Sequence, residues 1–447
     1  MSLGRDLNAV LPRVGVVGMA YGGYNLGEEL GPAKLAEMHD LLSGQPVTVV
    51  PVEDLVLDEA GARVAGEKLA GSAVDCILAV ITTFVPDCFI VELLAACDKP
   101  VFLWCVEREL QCISVVCGPL ITATLYNLEK RYALHGTDID DPETMEELLT
   151  FARAAMLQRV LRELRVGFCG GKCPIMFSMT PDEYAIKRQL GATVINIPIE
   201  ELYDVAKQIP EGEAEAYWNG LKAEIGPVTA KEADGLRSSR YYLAARQLAA
   251  KHELGALSLN CFPHLKSKVC LAVARLNDAG IAAGCEGDLH STILMHVFQC
   301  LTDRPSFNGD WLRMYPERKE VLFSHCGAGA FGLAENKKSV CLRCSIETND
   351  GLAVCYATHL LGPVTLANLV AGHGTLRLST LSGEAVATNL EYEGTPMCVR
   401  FAEHPHELLQ RIARCGAGHH WVGGPGDLAG MFDLFCKWRG ITYAGVT

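Results

Sequence analysis

Residues 14–18 read VGVVG, residues 47–52 VTVVPV, residues 76–83 CILAVITT and residues 100–106 PVFLWCV. Apart from Pro51, Pro100 and the threonines at 48, 82 and 83, these runs are apolar and rich in β-branched residues, and they do not alternate with polar ones. That pattern belongs to strands covered on both faces, as in a parallel sheet. Amphipathic stretches separate them, among them EELGPAKLAEMHDLL and FIVELLAAC. A strand–helix series of this kind builds an open α/β sheet.

The pattern recurs further along. A charged helical stretch, residues 141–165, can be capped by Asp141 and leads to VGFCGG at 166–171, a second strand-and-turn opening. TVINIPI (193–199) and ALSLNCF (256–262) supply later strands, with long helical patterns between. From about residue 336 the texture changes to short alternating runs parted by Gly, Pro and Asn-Asp turns, which suits an antiparallel barrel or sandwich. The helical PHELLQRIARC leads into the Gly-rich GAGHHWVGGPGDL, read as a loop, then a last helix and strand. The expected architecture is therefore α/β. Two tandem open α/β domains of the Rossmann or flavodoxin kind, 1–165 and 166–335, precede a mainly antiparallel β-barrel domain, 336–447.

The 447 residues are 49% hydrophobic and 21% charged, an ordinary globular composition, with a formal charge of −14. An acidic surface of this size is repelled by nucleic acid and by anionic membranes, so neither is expected as a partner. No run approaches the length of apolar residues needed to span a bilayer. The 19 cysteines are scattered among apolar residues, as at Cys97 and Cys105, where thiols act as small hydrophobes. No apolar signal segment opens the chain. The expectation is a cytoplasmic protein with reduced thiols.

Three places concentrate metal-capable side chains beside glycine. GCEGDLHSTILMHV carries Glu286, Asp288 and His290 where an apolar segment gives way to a helix, the end of a strand at which functional groups collect in open sheets. FNGDWLRMYPERKEVLFSHCGAGAFG carries Asp310 and His325, and the glycine-rich segment carries His419, His420 and Asp427. Singly, an acid ahead of a helix is usually a cap, and a His-His pair in a loop is commonly surface. Together, carboxylates and imidazoles suit a divalent cation such as Mn²⁺, Mg²⁺ or Zn²⁺, while no Cys₂His₂ or Cys₄ spacing points to structural zinc.

These segments resemble the L-fucose isomerase/L-arabinose isomerase superfamily. C-E-G-D at 285–288 is similar to its first metal carboxylate motif, and F-x-x-D-W at 307–311 to its second. S-H-C-G at 324–327 is similar to a histidine-bearing segment of arabinose isomerases. G-H-H-W with P-G-D downstream, 418–427, resembles the C-terminal histidine loop. The resemblance implies a metal-dependent aldose–ketose isomerase working through a cis-enediol, with Glu286 and Asp310 as catalytic acid/base carboxylates. Glu286, Asp310 and His420 would be the metal ligands and Mn²⁺ the expected ion. His325, His419, Trp311 and His264 are further candidates for ligation or substrate binding. The resemblance also implies a homotrimer or homohexamer with sites at subunit interfaces, Tyr21 and Tyr24 reaching substrate in a neighbouring subunit. Lys266 and Lys268 are candidates for an anionic substituent. Alternatives from other classes are a non-catalytic two-lobed sugar-binding protein, and a sugar epimerase, dehydratase or aldolase using the same carboxylates and ion.

Overall fold

The computed structural model describes residues 10–22, 28–107 and 113–447, which leaves Tyr24 outside. The chain forms two compact units, Leu11–Arg159 and a second whose main segment is Val160–Thr447, the boundary falling within the helix Pro142–Glu163.

In the first unit the apolar runs become β1 (Arg13–Met19), β2 (Thr48–Pro51), β3 (Cys76–Ile81) and β4 (Val101–Val106), joined by β5 (Tyr132–Thr137). The strands are all parallel, in the order β2-β1-β3-β4-β5. Every residue of β3 and β4 is buried, as continuous apolar runs require. Asp75 is buried just ahead of β3 and is satisfied by Arg159, Nε to Oδ1 at 2.8 Å, and by the Arg13 amide at 2.9 Å. A buried carboxylate without such partners would be strongly destabilising.

The second unit begins with another parallel sheet: β6 (Arg165–Cys169), β7 (Thr193–Ile197), β8 (Ala256–Leu259) and β9 (Ala282–Gly284), in the order β7-β6-β8-β9. The antiparallel part starts earlier than expected. β10 (Phe307–Tyr315) and β11 (Glu320–Ser324) already belong to it, so the sheet boundary lies ahead of residue 307 and not at 335/336. The short ribbon β12 (Cys341–Arg343) and β13 (Ala353–Cys355), expected as part of the barrel, forms a separate two-stranded sheet. β14 (Gly362–Gly372), β15 (Thr375–Val386), β16 (Met397–Arg400), β17 (His420–Pro425) and β18 (Thr442–Gly445) complete the set. Pairing runs β14-β17-β10-β11-β16-β15 and returns to β14, which closes a six-stranded barrel; β18 adds to β15 outside the ring. The expected glycine-rich loop is thus partly strand β17.

The barrel is not a separate body. Its core residues, among them Phe307, Phe323, Leu366 and Trp421, form one cluster with Trp218, Leu221 and Leu271 from helices of the preceding α/β part. This shared core makes residues 160–447 a single unit.

Candidate active site

Three loops leave the carboxyl-terminal ends of β6, β8 and β9 and are tied together by their backbones. The Asn260 side-chain amide donates to the carbonyls of Gly170 and Lys172, at 3.0 and 3.1 Å. The Gly287 amide donates to the Leu259 carbonyl at 3.1 Å, and the Cys173 amide to the Glu286 carbonyl at 2.9 Å. Glu286 lies between these bonds with φ of +62°, the left-handed region that side chains rarely adopt. Such strain costs about 1–3 kcal/mol and persists only where surroundings over-determine it. Gly287 follows with φ of +70°, and a β-carbon there would stand 2.1 Å from the Gly171 carbonyl oxygen. Close loop packing therefore demands glycine at 287 and fixes the turn that presents Glu286.

Asp288 ends that turn as the cap of the helix Leu289–Thr302. Its Oδ1 accepts from the Ser291 amide at 3.0 Å and its Oδ2 from the Ser291 hydroxyl at 2.5 Å. The same Oδ2 accepts from His420 Nδ1 at 2.8 Å. That bond places the His420 proton on Nδ1 and leaves Nε2 with a lone pair, the arrangement of a carboxylate-oriented metal-binding histidine.

The barrel supplies the remaining groups. In β10, Asp310 pairs in register with Ser324 of β11 on one side and with His420 of β17 on the other, and His325 follows β11 directly. Asn368 secures the approach to β17, donating to the His420 carbonyl at 2.6 Å and accepting from the Gly418 amide at 2.8 Å. His420 Nε2 then lies 3.2 Å from His325 Nε2, 3.6 Å from Glu286 Oε2 and 3.7 Å from Asp310 Oδ1. Glu286 Oε2 and Asp310 Oδ1 are both buried without a hydrogen-bond partner. Buried acceptors without donors are rare and call for an explanation. The donor atoms fall into two groups that share His420, one with Asp310 and His325 and one with Glu286 and His419, and each is a set that a divalent cation satisfies.

The charges interlock. Burial would push Asp288 upward, but the hydrogen bond and charge of His420 hold it well below the usual carboxylate range. Burial opposes the charged form of His420, yet Asp288 raises it above the ordinary histidine value. Burial raises the Glu286 carboxyl against the pull of His325 and His420, and Cys326 and Asp310 add to the rise. Burial also works against charged His325, while Cys326, Asp310 and Glu286 carry it well above its usual value. Burial and the charge of His420 lower His419. The arrangement can bind a cation and place two carboxylates beside the same bound molecule, with burial raising Glu286 and a bound cation opposing that rise.

Of the residues singled out in the sequence, Glu286, Asp310, His325 and His420 meet. His419 is exposed at the margin, its ring 4.1 Å from that of His420, and its donor atom lies within 4.8 Å of those of Glu286 and His420. Trp311 does not join them. Its ring packs on Phe323 and Phe401, at 5.4 and 6.4 Å, because neighbours on a strand face opposite sides. His264 is exposed in the loop after β8 and outside the cluster. Lys266 is ion-paired with Glu347 at 2.8 Å, and Lys268 donates to the His264 carbonyl at 2.8 Å. Tyr21, in the first unit, packs on Phe84 and Phe89. His290 is buried on its helix, lowered by desolvation. Asp427 caps the backbone at Ala429. Two contributors were left out of the expected ligand set: Asp288, named from sequence only among the metal-capable side chains ahead of the helix, and Cys326, whose Sγ lies 3.2 Å from His325 Nδ1.

No family model matches the chain. It is similar to proteins named sulfoquinovose isomerase. Those of Priestia aryabhattai and Priestia megaterium are 23% identical over 397 residues, covering 87% of this chain and 89% of theirs. That of Alkalicoccus urumqiensis is 23% identical over 359 residues, covering 78% of this chain and 81% of its own. An alignment of 397 residues is longer than either compact unit, so the similarity runs through both. The chain is thus related over most of its length to sugar isomerases.

Proposed function

We propose that this protein is a divalent-metal-dependent aldose–ketose isomerase, and that its substrate is a sugar for which sulfoquinovose, named in its relatives, is the first to try. The observation that carries the reading is the approach of Glu286, Asp310 and His325 to His420 Nε2 from three distant stretches of chain, with two buried carboxylate oxygens lacking donors. In this chain the donor set supports the activity that its relatives are named for.

Glu286, Asp310 and His420 would hold the cation, with His325 as a further ligand, and Mn²⁺ is the ion of choice. When bound, it would supply Lewis-acid stabilisation of negative charge developing on two adjacent sugar oxygens. The protein's own groups would do the rest. Isomerisation moves a proton between C2 and C1 and another between the two oxygens. One carboxylate would take the C2 proton while the other, protonated, gives one to the carbonyl oxygen, the roles exchanging in reverse. Burial raises the Glu286 carboxyl, which a bound cation would oppose, so either carboxylate can be the donor. Asp288 would keep His420 in the ligating tautomer. The same carboxylates would serve an epimerase, so the product decides between the two.

The test is product analysis by NMR with Mn²⁺ and a panel of aldoses that includes sulfoquinovose and 6-deoxyhexoses. Expected is conversion of one aldose to its 2-ketose, lost with EDTA and restored by Mn²⁺. Undiminished turnover in the chelated protein, or a product epimeric at one carbon with its carbonyl still at C1, overturns the reading. A homotrimer or homohexamer is the assembly we propose, to be checked by sedimentation.

A further inference from the structure

Four thiols stand directly behind the cluster. Cys261 Sγ lies 3.3 Å from Cys285 Sγ, and Cys326 lies beside both Cys270 and Cys285. The sulfurs of Cys285 and Cys326 and a ring nitrogen of His325 all fall within 4.8 Å of one another. Cys261, Cys270 and Cys285 are 2–3% exposed, whereas Cys326 is only partly buried. Packing alone asks for small hydrophobes and gives no reason for sulfur to gather at one point.

We propose that Cys326 and Cys285 are an oxidisable pair, a modification site whose reagent is a small peroxide, and whose disulfide reversibly disables the neighbouring site. Its effect on turnover rests on the isomerase reading; the disulfide itself does not. Cys326, the least buried residue of the four, attacks the peroxide: an S–O bond forms, the O–O bond breaks and one water leaves, giving a sulfenic acid. The Cys285 sulfur then attacks the Cys326 sulfur. An S–S bond forms, the S–O bond breaks, and a second water departs with the Cys285 proton. Two thiols have given two electrons to one peroxide, and a dithiol returns them.

The chain connectivity makes this consequential. Cys285 directly precedes Glu286, whose left-handed backbone is held by bonds on either side. Cys326 directly follows His325 and is the partner of its Nδ1. Closing the sulfurs to disulfide distance draws residues 285 and 326 together. It also takes from His325 the partner that orients it. Two of the four converging groups are displaced by one bond.

The test treats the metal-loaded protein with hydrogen peroxide, alkylates the remaining thiols and maps cross-linked peptides by mass spectrometry without reduction. Expected is a Cys285–Cys326 cross-link that grows as Mn²⁺ affinity falls by about 10–100-fold, the loss typical of a disrupted ligand-orienting partner, with both reversed by dithiothreitol. Cys261→Ser should still form the cross-link. Cys285→Ser should show no dithiothreitol-reversible loss of affinity. The proposal is overturned by absence of this cross-link in the wild-type chain, by a Cys261–Cys285 bond in its place, or by equal reversible loss in Cys285→Ser. The cross-link can be read without a substrate or a bound ion, so failure of the isomerase reading would leave that measurement intact.

Discussion

The two parallel sheets begin with the same order of strands, β2-β1-β3-β4 and β7-β6-β8-β9, yet their carboxyl-terminal edges carry different chemistry. Beyond β3, Thr82 turns its hydroxyl back onto the Met19 carbonyl, and beyond β1, Tyr21 lies against Phe84 and Phe89. These groups satisfy or pack one another. Beyond β9, Glu286 is backbone-strained and keeps a buried oxygen without a donor, and Asp288 spends one oxygen on His420. Both edges occupy the position where open sheets place ligands. Among the described residues it is the second edge that gathers carboxylates and imidazoles around one point, and a fold alone does not assign function.

The comparison breaks most sharply at the two carboxylates. Glu286→Gln and Asp310→Asn should each lower turnover by about 10²–10⁴-fold, the span for loss of an acid–base group, while circular dichroism and Tm stay near wild type. Both are near-isosteric, and neither oxygen has a donor to lose. Turnover close to wild type in either variant would move the chemistry away from the second edge.

Much of this edge could be read from the amino acids because its signals are local. An apolar run, a glycine-flanked acid and a helix cap sit within residues 281–291. The barrel half was harder. FNGDWLRMY does not alternate cleanly, and its register slips between Trp311 and Arg313, so no strand was expected there. The glycines of β17 suggested a turn, but they are packing residues. A β-carbon at Gly423 would meet Leu366 at 2.3 Å, and one at Gly424 would meet Phe298 at 2.8 Å. With β17 unread, only its pairing with β10 could show that His420 lies beside Asp310. β5 was missed for another reason: it is half-exposed along its length and lacks the long apolar run of its neighbours.

A smaller effect sharpens the role of Asp288, which has no counterpart described at the first edge. Asp288→Asn should weaken Mn²⁺ binding by about 10–100-fold, as loss of such a partner does, measured by calorimetry. The metal-free chain gives an independent readout. Asp288, held below its ordinary range, contributes stability above about pH 4 and loses it as pH falls through its lowered pKa. His420, held above its ordinary value, contributes below about pH 6.5 and loses it as pH rises through its raised pKa. The charged pair is therefore fully present between about pH 4 and 6.5. There the Tm difference between wild type and Asp288→Asn should be largest, shrinking on both sides. A difference independent of pH would mean that Asp288 acts only as the helix cap.

The smallest effect is expected at the first edge. Tyr21→Phe keeps the ring that packs on Phe84 and Phe89 and removes only the hydroxyl. If that edge is scaffold, kcat and KM should both stay within about three-fold of wild type, less than one hydrogen bond of about 1 kcal/mol to a bound sugar would contribute. A larger rise confined to KM would mean that the hydroxyl touches substrate, as the resemblance to fucose and arabinose isomerases implies for a neighbouring subunit. The two edges would then differ in kind of contribution, binding at one and proton transfer at the other, and the contrast between a silent and a working sheet would have to be given up.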